Sequence, residues 1–98
     1  MDRVVWTDTA RHDVRNILFF ISNDAPYRAG IFINELIDST DRLESFPLSG
    51  RIIPEKNNSD YRELIFRNYR IMYRIRDSLV EILQVYHSSR MFDPASLN

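Results

Sequence analysis

The sequence predicts an α+β domain with the element order β-α-α-β-β-β, in which a helical hairpin packs on one face of a small antiparallel sheet. Two stretches with the apolar period of an amphipathic helix fill the first half and are separated by a four-residue break at 23–26. The second half changes to a period of two, which is clearest between Tyr69 and Arg76. A chain of 98 residues supports one core layer and a single domain, predicted over residues 1–90.

The first predicted elements are a short strand at 2–6 and a helix at 8–22. Thr7 lies between them and is a residue type favoured at a helix N-cap. A second helix begins at Pro26, which suits the first helical position, and its apolar stripe continues to about residue 46. The stripes that predict the two helices are Ala10, Val14, Ile17, Leu18 and Ile21, and then Ala29, Ile33, Leu36, Ile37, Thr40 and Leu43.

Three further strands are predicted, at 61–67, 69–76 and 79–87. The tight turns between them favour an antiparallel meander. Residues 51–55 can run extended, but Pro54 has no backbone N–H and confines such a strand to the edge of a sheet. Residues 91–98 show little periodicity and are predicted to be a C-terminal tail.

The last predicted strand is apolar on both faces. In a period of two, Val80 and Ile82 lie on one face. Leu79, Leu83 and Val85 then lie on the opposite face. Such a strand is typical of the interior of a sheet.

A row of guanidinium groups is predicted on the side of the sheet that faces away from the helices. Tyr69 and every second residue to Ile75 form the apolar face of one strand, so Arg70, Arg74 and Arg76 fall on the other face. A guanidinium group is planar, permanently charged and suited to carboxylates and phosphates. The sequence therefore predicts an open face that binds an acidic partner.

The bulk composition narrows the possible classes of protein. The chain has no Cys, which excludes disulfides and thiolate chemistry and fits a cytoplasmic location. No apolar run approaches the ~20 residues that span a bilayer, so no membrane association is expected. The net charge of −1 gives no general attraction to nucleic acid. Residues 51–98, however, hold 8 basic and 6 acidic side chains, which indicates a locally basic sheet.

Several segments match a known family in their order and spacing. These segments are Trp6–Ala10, Ala29 in the second helix, Leu43–Arg51, Tyr61–Leu64, Asn68–Arg74 and Ile82–Arg90. Over residues 4–90 the chain resembles the RelE/ParE superfamily of bacterial toxins from type II toxin–antitoxin systems, and it is more similar to the ParE branch.

The resemblance implies a cytoplasmic, growth-inhibiting toxin that a cognate antitoxin protein neutralises in a heterodimer or heterotetramer. ParE-like members inhibit DNA gyrase, whereas RelE-like members cut messenger RNA on the ribosome. We favour gyrase as the target, because a single Lys and a negative net charge differ from the strongly basic RelE-like nucleases. The nuclease is the alternative, and an inactive relic that only binds antitoxin is a second alternative.

Two sets of candidate site residues follow from the resemblance and from the residue types. RNA cleavage needs groups that transfer protons and cations that hold the phosphate. The candidates for that reaction are Arg62, Glu63, Arg74, His87 and Arg90. The residues predicted to bind the antitoxin or the target are Phe19, Arg51, Arg70, Arg74, Arg76 and Arg90.

No metal or cofactor is predicted. The two His residues are far apart in the sequence and no Cys is present, so no spacing typical of a metal site occurs. With only two Gly residues, the chain also has no glycine-rich loop that would cradle a phosphate.

Overall fold

The computed structural model describes residues 2–97, in which two helices pack on one face of a five-stranded sheet. The helices and strands are β1 (Arg3–Trp6), α1 (Asp8–Asp24), α2 (Pro26–Asp38), β2 (Arg51–Ile52), β3 (Tyr61–Phe66), β4 (Tyr69–Arg76) and β5 (Leu79–His87). The strand order in the sheet is β1-β5-β4-β3-β2. The predicted fold class is confirmed, and β2 is an edge strand, as Pro54 indicates. Neither helix of the described chain is long and apolar enough to cross a membrane.

The sheet is mixed, so the prediction of a fully antiparallel sheet was wrong in one strand pair. β1 runs parallel to β5, with Arg3 opposite Leu79 and Trp6 opposite Ile82, while the other neighbouring strands are antiparallel. β1 and β5 are separated in the sequence by both helices and by β2, β3 and β4, which gives more than the dozen residues of connection that parallel strands need.

The helix boundaries follow from local hydrogen bonds. Thr7 caps α1, since its hydroxyl oxygen accepts a hydrogen bond from the Ala10 N–H at 3.2 Å. The second helix ends at Asp38, earlier than predicted. There the Ser39 hydroxyl donates to the Leu36 carbonyl and the Thr40 hydroxyl donates to the Ile37 carbonyl, which competes with further helix. Two short 3-10 helices, Asp41–Glu44 and Pro47–Ser49, complete the connection.

The main core lies between the helices and the sheet. Its buried members are Ala10, Leu36, Leu43, Leu64, Ile71, Tyr73, Val80, Ile82 and Val85. Because both helices and β3, β4 and β5 contribute to it, this layer fixes the position of the hairpin on the sheet.

A β-bulge at Leu83 changes the faces of β5. Met72 of β4 pairs with Gln84 and Tyr73 pairs with Ile82, so Leu83 is the extra residue. The alternation therefore shifts by one residue, and Val85 joins the helix-side core. The prediction that Val85 lies on the opposite face was wrong for this reason.

The side of the sheet away from the helices is covered by the chain itself, so the predicted open face was wrong. Residues 91–97, here called the C-terminal strap, lie across this side. Ile53, Met72 and Leu97 form a second buried cluster there, with exposed fractions of 0%, 0% and 1%. The sequence predicted a tail in this region, but a buried leucine ties it to the sheet.

Candidate functional site

Glu63 is the centre of an ion-pair network on the strap side of the sheet. Its side chain is fully buried, and its carboxylate accepts hydrogen bonds from Arg51 Nε at 2.5 Å and from Arg70 Nε at 2.6 Å. Short contacts between opposite charges of this kind are the strong class of hydrogen bond. A buried carboxylate needs such partners, because a buried charge without them costs several kcal/mol, on the order of 3–5.

Arg70 is held between two carboxylates. Besides the bond to Glu63, its two terminal nitrogens donate to both carboxylate oxygens of Glu55 at 2.7 and 2.8 Å. The side chain of Arg70 is only 11% exposed. Arg70 was predicted to be an exposed contact for a partner, but intramolecular acids satisfy its guanidinium group in this structure.

Because of Glu55, the stability of the fold should decrease as the pH falls through the acidic range. The hydrogen bond from Arg70 lowers the pKa of Glu55 from 4.5 to about 2. As the pH falls, the Glu55 carboxylate is therefore protonated in the unfolded chain before it is protonated in the folded protein. The stabilisation by the Glu55–Arg70 ion pair is complete above pH 4.5 and is lost as the pH falls towards 2. We expect the urea midpoint of the Glu55→Gln variant to fall less than that of the wild type between these pH values. If the urea midpoints of the two proteins fell by the same amount over this pH range, the result would contradict the ion pair.

The other arginines of the predicted row are also paired. Arg74 donates to Glu81 through Nε at 3.1 Å and Nη2 at 2.7 Å, and these hydrogen bonds raise the pKa of Arg74 above its usual value. Arg76 lies 3.3 Å from the same carboxylate but is 57% exposed. Arg76 is thus the member of the row that faces solvent most, and Arg51 of β2, another predicted contact residue, is 60% exposed.

The five candidate nuclease residues do not converge on one point. Arg62 pairs across strands with Tyr73 and so lies on the helix side, where it donates to the Gly50 carbonyl at 3.0 Å. Glu63 and Arg74 lie on the strap side of the sheet. His87 is on the helix side, where it pairs with Tyr69 at the start of β4. The sheet therefore separates Glu63 and Arg74 from Arg62, His87 and Arg90.

His87 and Arg90 line a groove of about 450 Å³ between α1 and the end of β5. The Nδ1 atom of His87 accepts a hydrogen bond from the Ser89 N–H at 3.1 Å. Asp13 closes one wall, and its carboxylate accepts from the Val85 N–H at 3.0 Å, beyond the point where β1 ends. Burial raises the pKa of Asp13, and the hydrogen bond opposes this shift.

Four large apolar side chains near the connection of the helical hairpin are exposed, and we call this set the hairpin patch. It consists of Phe19, Phe20, Tyr27 and Ile31, with exposed fractions of 68%, 71%, 93% and 61%. All four residues lie within about two turns of the connection at Ala25. Sequence reasoning identified Phe19 and missed the other three, although Tyr27 and Ile31 face away from the apolar stripe of α2 on a helical wheel.

Among residues 2–97, no group of three or more His, Cys, Asp or Glu side chains is placed to hold a metal ion.

Comparisons with known proteins give a consistent family. Residues 4–92 match the sequence model of the family described as ParE toxin of type II toxin–antitoxin system, parDE. A search of curated proteins gives no significant match.

Two solved structures share the fold. A chain of the chromosomal ParDE toxin–antitoxin system from P. aeruginosa aligns with a TM-score of 0.77 at 18% identity, covering 89% of this chain and 96% of that one. A chain of the RelBE2 toxin–antitoxin complex from Mycobacterium tuberculosis aligns with a TM-score of 0.64 at 24% identity, covering 88% and 96%.

Proposed function

Because this chain belongs to the ParE family of toxins from type II toxin–antitoxin systems, we propose that it arrests growth by inhibiting DNA gyrase and that a cognate antitoxin neutralises it. The proposal assigns the chain a binding function and no catalytic step. Its action then depends on a surface that contacts the target and on a partner that covers this surface.

The observation that carries this proposal is the internal use of three of the five groups that RNA cleavage would need, Arg62, Glu63 and Arg74. Arg70 and Arg74 are paired with carboxylates, Glu63 is buried, and Arg62 donates to backbone carbonyls. A nuclease needs a proton-transfer group within hydrogen-bond reach of its substrate and cations around the same phosphate. Here Glu63 and Arg74 are held in ion pairs on the strap side, across the sheet from Arg62, His87 and Arg90, so the five groups do not surround one phosphate.

The hairpin patch is the proposed contact surface for gyrase. Several exposed large apolar side chains on one part of a small protein are typical of a protein-binding surface, and aromatic residues are enriched among those that dominate binding. An antitoxin that covers this patch would exclude the target. The same surface thus accounts for toxicity and for neutralisation.

Induction of variants in cells tests this proposal. We expect wild-type chain to cause filamentation with gyrase-mediated DNA breaks while translated messages stay intact. The double variant Phe19→Ser/Phe20→Ser should lose at least about tenfold in toxicity, because these rings are the proposed anchors. His87→Gln should remain as toxic as the wild type, since no proton transfer is involved.

Leu48→Ser is the matched control for the hairpin variant. Leu48 is 65% exposed and lies outside the helical hairpin. The Leu48→Ser substitution therefore removes an exposed apolar side chain from a different surface. If the wild-type chain cleaved translated messages and the His87→Gln variant did not, the function would be RNA cleavage and not gyrase inhibition.

A further inference from the structure

We propose that the groove between α1 and the end of β5 binds a free aromatic α-amino acid. The volume of the groove, about 450 Å³, falls within the range of about 300–1,000 Å³ that is typical of small-molecule sites. This inference goes beyond the proposed function and does not depend on it, because the binding of a small molecule is measured without any target protein.

Two opposite charges line the groove without contacting each other. Asp13 lies on α1, and Arg90 lies three residues after the end of β5. Burial raises the pKa of Asp13, and the positive charge of Arg90 opposes this shift, so the two groups are close enough to interact. Within residues 2–97, however, neither side chain forms an ion pair. A ligand that carries both an ammonium group and a carboxylate group can bridge them.

The Asp13 carboxylate is held in place by one of its two oxygen atoms. Its Oδ2 atom accepts the hydrogen bond from the Val85 N–H at 3.0 Å, which fixes the side chain against the edge of β5. In the part of the chain that the structure describes, Oδ1 accepts no hydrogen bond. An ammonium group bound at Oδ1 would stabilise the ionised form of this partly buried acid.

His87 and Arg90 supply hydrogen-bond donors for the carboxylate of the ligand. The Nδ1 atom of His87 accepts from the Ser89 N–H, so the neutral ring carries its proton on Nε2 and donates from there. The ring packs edge-on against Tyr69, with 5.1 Å between the ring centroids. The Arg90 N–H donates to the His87 carbonyl at 3.0 Å, and this turn keeps the two side chains at the same end of the groove. A guanidinium group suits a carboxylate.

Apolar side chains form the remaining wall of the groove and favour a large ligand side chain. Ile17, Phe20, Tyr69 and Val85 line it. Phe20 is 71% exposed in the free protein, so a ligand ring placed against it would remove apolar surface from water. Aromatic rings also pack favourably against each other in edge-on or offset arrangements. The ligand that fits the charges and the wall is therefore an aromatic α-amino acid.

Titration of the isotope-labelled full chain with L-phenylalanine, followed by backbone amide NMR, tests this inference. We expect saturable shifts of the Val85, His87 and Arg90 amides. N-acetyl-L-phenylalanine lacks the ammonium charge, and L-phenylalaninamide lacks the carboxylate. Each should bind at least about tenfold more weakly than L-phenylalanine, since hydrogen bonds between charged groups are the stronger class. Glycine, which lacks the ring, should also bind more weakly.

Two variants locate the binding in the groove. Asp13→Asn removes the charge but keeps an oxygen that accepts from the Val85 N–H, and Arg90→Gln removes the charge at the other end. Each should raise the Kd for L-phenylalanine at least about tenfold. Arg28→Gln is the matched control, because Arg28 is exposed on α2 and does not line the groove, and its Kd should equal that of the wild type.

The inference is overturned if the three amides show no saturable shift at millimolar L-phenylalanine. It is also overturned if N-acetyl-L-phenylalanine binds as tightly as L-phenylalanine, or if Asp13→Asn and Arg90→Gln both keep the wild-type Kd. None of these results affects gyrase inhibition, and a chain that fails to inhibit gyrase would leave the amino-acid site unaffected.

Discussion

Gly50→Ala should lower the melting temperature by about 8–16 °C, since about 2 kcal/mol of overpacking acts on a domain of this size. A Cβ atom at Gly50 would lie 2.5 Å from the Tyr73 hydroxyl and 2.6 Å from the Glu63 carbonyl oxygen. The backbone carbonyl cannot move away as a flexible side chain would. The substitution would also disturb the hydrogen bond from the Gly50 N–H to the Tyr73 hydroxyl at 3.0 Å.

Gly30→Ala is the matched control, and we expect the opposite sign. A Cβ atom at Gly30, inside α2, meets nothing within 4 Å. Alanine is favoured over glycine in a helix by about 0.5–1 kcal/mol, so the melting temperature should rise. Thermal unfolding followed by circular dichroism measures both variants. A Gly50→Ala protein as stable as the wild type would contradict the close packing of the 47–50 turn on Tyr73.

Glu63→Met should reduce the free energy of unfolding by about 3 kcal/mol, as expected for removal of one partner of a buried ion pair. It leaves the Nε atom of Arg70 without its 2.6 Å partner in a side chain that is only 11% exposed. Glu35→Met provides the comparison, because Glu35 pairs with Arg67 at 3.0 Å while both side chains are about half exposed. That change should cost less than about 1 kcal/mol.

The double variant Glu63→Met/Arg70→Met makes the prediction more specific. Because both buried charges are removed, it should cost less than the sum of the two single changes. Arg51 and Glu55 are left behind, and both are exposed enough to be hydrated. Urea unfolding of the four proteins gives the coupling energy. Additive costs would show that the two side chains do not act as a pair.

Local features of the sequence were sufficient to predict most of the fold. Thr7 predicted a helix N-cap, Pro26 predicted a helix start, and the structure places both as expected. Pro54 limited β2 to an edge. These predictions succeed because a cap, a fixed φ angle or a missing N–H acts within a few residues of its own position.

The errors arose from contacts between residues far apart in the sequence. No local pattern marks the bulge at Leu83, which moves Val85 to the helix side. Leu97 lies in a stretch without periodicity, so its burial depends on Ile53 and Met72 and cannot be inferred from its neighbours.

The candidate site was harder to predict than the fold for a similar reason. The period of two placed Arg70 on the correct strand face but could not show that it is neutralised. Its second partner, Glu55, comes from an irregular loop 15 residues earlier, which had no predicted contact with β4. The hairpin patch was predicted through Phe19 alone, since an exposed aromatic residue becomes a surface only when its neighbours are placed.

We propose that this toxin acts by contacting a protein target through the hairpin patch and not by cleaving RNA. The most direct measurement adds purified chain to purified gyrase with supercoiled DNA and, in parallel, to a translation reaction with labelled message. We predict stoichiometric inhibition of gyrase that Phe19→Ser/Phe20→Ser abolishes, with the message left whole. Unaffected gyrase together with ribosome-dependent cleavage of the message would contradict the claim.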